Sequence, residues 1–85
     1  MEREALTNPI TEIREVRKLS RKQFALALGV GYATSSAHEC GYPAHLQPAM
    51  RRGLARLGVD VDQVAREYEA WREQQQDAIL PGTRR

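Results

Sequence analysis

The chain has 85 residues, a net charge of +2, 41% hydrophobic and 28% charged residues, the size and composition of one small folded domain. Its single cysteine, Cys40, excludes an internal disulfide and a cysteine-rich zinc module. The longest stretch without a charge, residues 23–38, is interrupted by glycine and serine, which excludes a transmembrane helix. No segment resembles a signal peptide, so we expect a cytoplasmic protein.

The first helix is predicted to follow an N-terminal arm, residues 1–8. Asn8 and Pro9 form a helix cap followed by a proline in the first turn, where the missing N–H costs nothing. Apolar residues then recur at three-residue steps, and Leu19 closes the segment. This spacing predicts that the buried face of the first helix consists of Ile10, Ile13 and Val16.

Two more short helices are predicted next in the chain. Ser20 and Gln23 have the spacing of a capping box, in which each side chain bonds the backbone N–H of the other residue. The second helix is therefore predicted to begin there and to end at Gly29. After a three-residue turn, a third helix is predicted over Tyr32–Cys40, and Gly41 is suited to end it in a left-handed conformation.

The C-terminal half is predicted to contain two helices. The fourth begins at Pro48 and ends at Gly58, and Asp60 with Gln63 again has capping-box spacing ahead of the fifth. No strand pattern is found, so we expect an all-α fold with five helices. The predicted organisation is an arm (1–8), a helical domain (9–59), a long C-terminal helix (60–80) and a disordered tail (81–85).

The second and third helices carry a resemblance to a known family. Residues 19–30 read LSRKQFALALGV, which is similar to the LSQxELAxxLGV signature of the Cro/CI-like (XRE) helix-turn-helix family. Thr34 and the Glu39-Cys40-Gly41 run resemble the following TISxxExG pattern, and the similarity covers residues 10–59. The resemblance implies a compact five-helix lambda-repressor-like domain. It also implies a sequence-dependent DNA-binding regulator of transcription, a small phage- or plasmid-like repressor that binds double-stranded DNA as a dimer.

The same resemblance implies which residues contact DNA. It makes the third helix the recognition helix in the major groove, with Tyr32, Ala33, Ser36 and Ala37 facing the bases and Thr34 near the backbone. Arg21 and Lys22, at the start of the second helix, would contact phosphates. Glu39 is expected to be structural and to pair with Arg14 of the first helix.

The third helix departs from the family pattern in two ways. Ser35 and His38 stand where the family has branched apolar residues, so both are expected to face the core. The helix also has no Arg, Lys, Asn or Gln, the side chains that read purines with two hydrogen bonds. We therefore expect direct base readout to be weak and specificity to depend on DNA shape, phosphate contacts and a second half-site.

The distribution of charge and of apolar residues differs between residues 14–56 and the fifth helix. Residues 14–56 have a net charge of +6, whereas residues 60–77 have a net charge of −4, which suggests separate faces for a polyanion and another partner. On the fifth helix, Tyr68, Trp71 and Ile79 continue an apolar stripe. We expect these three residues to form a homodimer interface, with packing inside the domain as the alternative.

Two functions other than DNA binding are considered from the sequence. His38, Cys40 and His45 suggest a metal or catalytic site, but residues 38 and 40 point to different sides of a helix and a full set of ligands is missing. We therefore expect neither an enzyme nor a cofactor. The second alternative is a helix-turn-helix fold used for protein–protein interaction, as in an antitoxin or adaptor, whose C-terminal helix binds a protein partner.

Overall fold

The structure is a computed structural model that describes residues 5–79, and all regular secondary structure in this range is helical. It confirms the predicted all-α fold with five helices. The predicted tail (81–85) and the first four residues of the predicted arm lie outside the described residues. The helices are α1 (Pro9–Val16), α2 (Arg21–Leu28), α3 (Tyr32–Cys40), α4 (Pro48–Arg56) and α5 (Val61–Ile79).

The predicted helix starts are confirmed by hydrogen bonds at three caps. The Asn8 side chain accepts from the backbone N–H of Ile10 at 2.9 Å, and Pro9 occupies the first turn of α1. Ser20 and Gln23 make both bonds of the capping box, at 3.1 and 2.9 Å. The Asp60 side chain accepts from the backbone N–H of Gln63 at 3.1 Å. Short polar side chains therefore satisfy N–H groups that the first turn of each helix leaves open.

The end of α1 differs from the prediction. The helix stops at Val16, and Lys18 adopts a positive φ of 56°, which turns the chain before Leu19. Val16 is 72% exposed, although its spacing predicts burial, and the half-buried Leu19 packs against the core. Val16 still belongs to α1, but each three-residue step falls short of a full helical turn by about 60°, so Val16 lies roughly 120° around the helix from Ile10 and off the buried face.

The apolar core draws side chains from α1, α2, α4 and α5 and from the loop between α3 and α4. α2 lies between α3 and α4, and α1 packs against α5 and α3. At the α2–α4 contact Gly53 is required, because a Cβ there would lie 2.5 Å from the carbonyl oxygen of Leu28. The buried cluster consists of Ile10, Phe24, Leu28, Leu46, Met50, Leu54, Val64, Ala65 and Tyr68.

None of the helices in residues 5–79 combines the length and the apolar character needed to cross a membrane.

Candidate nucleic-acid interface

The α2–turn–α3 unit is a compact pair of helices joined by three residues. Gly29 has a φ of 75°, and its N–H donates to the carbonyls of Ala25 and Leu26 at 3.0 and 3.1 Å. The N–H of Val30 donates to Ala25 as well, so the last carbonyls of α2 are satisfied within the turn. Ala25 is 3% exposed. The predicted end of α2 at Gly29 and the three-residue turn after it are confirmed.

Glu39 holds α3 to α1 through a buried charge network. Its side chain is 1% exposed, and the Arg14 Nε donates to its two carboxylate oxygens at 3.1 and 3.0 Å. The Thr11 hydroxyl donates to the same carboxylate at 3.1 Å, and Arg14 also donates to the carbonyl of Leu19. The predicted structural pair is confirmed. A charge at this depth is tolerated because it is paired and hydrogen-bonded.

The two residues expected to contact phosphates differ in their surroundings. Arg21 is about half exposed, and its Nε lies 3.7 Å from the Glu39 carboxylate, so it belongs partly to the buried network. Lys22 is exposed at the start of α2. Of the two, Lys22 is the side chain whose substitution leaves the Glu39 network intact.

The residues of α3 expected to contact the bases or, for Thr34, the DNA backbone differ in their exposure. Tyr32, 54% exposed, and Ala33 lie on the surface in the first turn of α3, whereas Thr34 and Ala37 are half-buried. The hydroxyl oxygen of Ser36 is buried and has no hydrogen-bond partner. The prediction that Ser36 faces outward is therefore wrong for its hydroxyl group, the only polar group of this side chain. Its rotamer turns the hydroxyl into the structure.

His38 is a structural residue in the core of α3. It is fully buried; its Nδ1 lies 2.7 Å from the carbonyl oxygen of Thr34, and the N–H of Gln47 donates to its Nε2 at 3.2 Å. These contacts fit a neutral ring that carries its proton on Nδ1. Burial lowers the pKa of His38 below 6.5, and the bond to Thr34 opposes this shift.

Ser35 also faces the core, as expected. It is 1% exposed, and its hydroxyl has no hydrogen-bond partner. The C-terminal end of α3 is instead fixed from outside by Asn8, whose amide donates to the carbonyls of His38 and Glu39 at 3.1 and 2.9 Å. Sequence reasoning identified Asn8 as a cap and missed this second role, because nothing local in the sequence shows where its amide group points.

The expected dimer residues on α5 do not form one exposed stripe. Tyr68 is fully buried and its hydroxyl donates to the carbonyl of Pro43 at 2.6 Å, so the prediction for Tyr68 is wrong. Trp71 is half-buried and packs against the core, whereas Ile79 is 73% exposed. The reason is that the Tyr68 ring belongs to the buried core cluster, and its hydroxyl reaches the loop between α3 and α4.

Several basic side chains make contacts within the fold. The Arg56 guanidinium donates to the carbonyl of Leu28 at the end of α2, and Arg51 pairs with Asp62 of α5 at 2.9 Å. Arg72 of α5 donates to the carbonyl of Gly41 at 2.7 Å. Part of the basic charge of residues 14–56 therefore stabilises helix ends and helix contacts.

The remaining polar candidates do not come together. His38 is buried, whereas Cys40 is exposed. Within residues 5–79, no three His, Cys, Asp or Glu side chains are grouped closely enough to hold a metal ion. A shallow groove of about 200 Å³ lies beside Cys40, between the end of α3 and the distal part of α5, and Trp71 and Ile79 also line it.

Comparison with known proteins finds no match: no family model fits the chain, and no curated protein or solved structure is significantly similar to it.

Proposed function

We propose that this chain is a sequence-dependent DNA-binding regulator of transcription, a small repressor that places α3 in the major groove. The observation that carries the proposal is the α2–turn–α3 unit itself. Its turn is closed by Gly29, its two helices are fixed against α1 by the Glu39 network, and the first turn of α3 is exposed. A recognition helix needs a rigid base and an accessible N-terminal turn.

Phosphate contacts in this proposal come from the start of α2. Lys22 is exposed, and Arg21 is half exposed beside Glu39. A lysine that contacts a phosphate contributes to affinity for any duplex, and its contribution falls as salt rises because bound counterions are released. These contacts orient the protein on the DNA and carry no sequence information by themselves.

Base readout in this proposal is limited to the first turn of α3. Tyr32 offers a phenol group and Ala33 a methyl group that can touch a thymine methyl. Two such contacts give modest discrimination, so the remaining specificity comes from DNA shape and from a second half-site. A dimer supplies that second half-site, one helical turn away, and multiplies a modest affinity.

Dimerisation is proposed through the distal part of α5. This helix has 19 residues, a length of about 28 Å, and its last buried residue is Tyr68. Beyond that point Ile79 is 73% exposed next to the groove that Trp71 lines. A second copy that brings its own Ile79 to this groove would cover both apolar surfaces. Sedimentation velocity should show a dimer that Ile79→Glu dissociates and Val16→Glu, an equally exposed site, does not.

The proposal is tested by fluorescence anisotropy with the duplex upstream of the chain's own gene and a shuffled duplex, each at two salt concentrations. We expect a preference of about 10³-fold for the upstream duplex that persists at physiological salt. Lys22→Gln should weaken binding to both duplexes and lower the salt slope by about one. Tyr32→Ala should instead reduce the preference between them.

The matched control is Arg66→Gln, which removes the same charge from an exposed position on α5. It should leave affinity, preference and salt slope unchanged. Arg21 is avoided as a test position because a glutamate there would face the buried Glu39 carboxylate and destabilise the fold. Equal, salt-sensitive binding of the wild-type chain to both duplexes would reject sequence-dependent recognition.

A second candidate, a protein-interaction module, is favoured by the composition and packing of α3. The Ser36 hydroxyl is buried, and α3 has no Arg, Lys, Asn or Gln. On this alternative, the exposed Ile79 and the acidic α5 contact a partner protein. Lys22→Gln distinguishes the two functions, because it should weaken DNA binding and leave the binding of a partner protein unchanged. Ile79→Glu should abolish the binding of the partner protein.

A further inference from the structure

Arg72 of α5 forms hydrogen bonds with the backbone just after the end of α3. Its Nε donates to the carbonyl of Gly41 at 2.7 Å, and its Nη2 donates to the carbonyl of Tyr42 at 3.3 Å. Gly41 is the first residue after α3 and has a φ of 82°. The planar guanidinium therefore bonds two successive carbonyls at once, a geometry that a flexible ammonium cannot reproduce.

The same peptide groups are also bonded to α3. The N–H of Gly41 donates to His38, and the N–H of Tyr42 donates to the carbonyl of Ala37 at 3.1 Å. Each residue thus donates into α3 and accepts from Arg72. A shift of the guanidinium would move the Tyr42–Ala37 bond, and Ala37 belongs to the helix proposed to enter the major groove.

Neighbouring residues on one face of α5 hold the rest of this loop. The Tyr68 hydroxyl donates to Pro43 at 2.6 Å, and the Glu69 carboxylate lies 3.0 Å from the Nδ1 of His45. The Trp71 ring lies against Gly41 so closely that a Cβ there would be 2.8 Å from it. α5 is therefore fitted to one position of the loop between α3 and α4.

α3 depends on such external contacts because its own side chains provide little apolar anchoring. Its buried residues are Ser35, His38 and Glu39, and the Ser35 hydroxyl has no hydrogen-bond partner. At its N-terminus Gly31 provides no side-chain cap, and a Cβ on Gly31 would meet nothing within 4 Å. The polar contacts that hold α3 from other elements are consequently concentrated at its C-terminal end.

We propose that Arg72 is a positioning residue for DNA recognition: by bonding the Gly41 and Tyr42 carbonyls, it fixes the angle at which α3 meets the major groove. This inference rests on the proposed function. Arg72 touches no DNA in this arrangement and acts through the end of α3. Its loss should lower the affinity for the specific duplex and leave the affinity for a shuffled duplex unchanged.

The test compares the full-length wild-type chain with Arg72→Gln, Arg72→Lys and the control Arg66→Gln. Hydrogen exchange of the Tyr42 amide reports the α3 end directly, and anisotropy with the upstream and shuffled duplexes reports recognition. In Arg72→Gln we expect exchange about tenfold faster and specific affinity about tenfold lower, the effect of losing charge-assisted hydrogen bonds. Arg72→Lys should restore part of both, and Arg66→Gln should change neither.

A purely stabilising role would appear differently. It would lower the unfolding temperature and weaken binding to both duplexes equally, and this outcome overturns the proposal. Unchanged exchange of the Tyr42 amide in Arg72→Gln, or faster exchange with an unchanged preference, also overturns it. If the wild-type chain itself shows no preference for the upstream duplex, the proposed function fails, and the exchange measurement alone still shows whether Arg72 fixes the end of α3.

Discussion

The two helices of the α2–turn–α3 unit are held in the fold by different forces. α2 buries Phe24, Ala25 and Leu28, which are all apolar. α3 buries Ser35, His38 and Glu39, which are all polar. Both helices are short, with eight and nine residues, so neither is stable without its tertiary contacts.

Because of this difference, α2 contributes mainly to the stability of the unit, whereas the polar contacts of α3 determine how that helix is oriented. Apolar burial is non-directional and contributes most of the free energy, so α2 anchors the unit. Hydrogen bonds and ion pairs contribute less net energy but require defined distances and angles, so they fix how α3 lies on that anchor. Polar contacts thus set the orientation of α3 but contribute less to the free energy of unfolding than the apolar contacts of α2. Substitution of its polar partners should therefore change the position of α3 before it unfolds the other helices.

The largest effect is expected for Phe24→Ala on the α2 side of this comparison. Phe24 is fully buried, and removing its ring should lower the free energy of unfolding by about 3–5 kcal/mol through lost burial and a cavity. Urea denaturation measures the change. Leu26→Ala, at a site on the same helix that is 73% exposed, should stay within about 0.5 kcal/mol. Similar losses in both variants would contradict the apolar anchoring of α2.

A smaller effect is expected for Glu39→Gln on the α3 side. The amide keeps the shape of the side chain but leaves the Arg14 charge, 14% exposed, without its buried anionic partner. We expect the free energy of unfolding to fall by about 1–3 kcal/mol. Glu15→Gln is the matched control, since Glu15 is 65% exposed and 4.0 Å from the same arginine, where a pair contributes about 0–1 kcal/mol. Equal effects of the two variants would argue against a buried network.

Ser35→Ala should raise stability. The Ser35 hydroxyl is buried without a hydrogen-bond partner, and alanine removes that polar group and favours helix. An increase of about 1 kcal/mol in the free energy of unfolding is expected. Ser20→Ala, the same change at the cap of α2, should instead cost about 1 kcal/mol. A loss of stability in Ser35→Ala would show that its hydroxyl is satisfied after all.

The smallest effect is expected from pH through His38. Burial lowers the pKa of His38 in the folded chain below 6.5, while the bond to Thr34 partly offsets the shift. The unfolded chain therefore binds the proton more readily, so stability is full above about pH 6.5 and falls as pH drops towards the lowered pKa. Thermal unfolding between pH 5 and 8 measures this decline. The midpoint temperature should still fall at low pH in the control His45→Gln, and the fall should be absent in His38→Gln. Equal midpoints at pH 5.5 and 8 in the wild-type chain would refute it.

Much of the helical scaffold is readable from local sequence. Asn8, Ser20 and Asp60 act on N–H groups two or three residues away, so their caps follow from spacing alone. The Arg14–Glu39 pair spans 25 residues and was anticipated only through the family resemblance. The burial predicted for Val16 is wrong because repeated three-residue steps drift around a helix of 3.6 residues per turn, which carries Val16 off the buried face.

The candidate interface was predicted less completely than the scaffold. Tyr32, Ala33 and Lys22 are exposed where they were expected. The burial of the Ser36 hydroxyl and the burial of the Tyr68 ring in the core were missed. Both depend on which surfaces meet in three dimensions, and a helical spacing only says which residues share a face.

The sequence by itself determined the helix count and the caps of α1, α2 and α5, because these follow from interactions between residues a few positions apart. Only the tertiary structure decided that Asn8 and Arg72 hold the end of α3. It also decided that Arg56 donates a hydrogen bond to the carbonyl of Leu28 at the end of α2. These contacts join residues about 30 positions apart in sequence. A long polar side chain finds such a carbonyl only after apolar packing has brought the helices together.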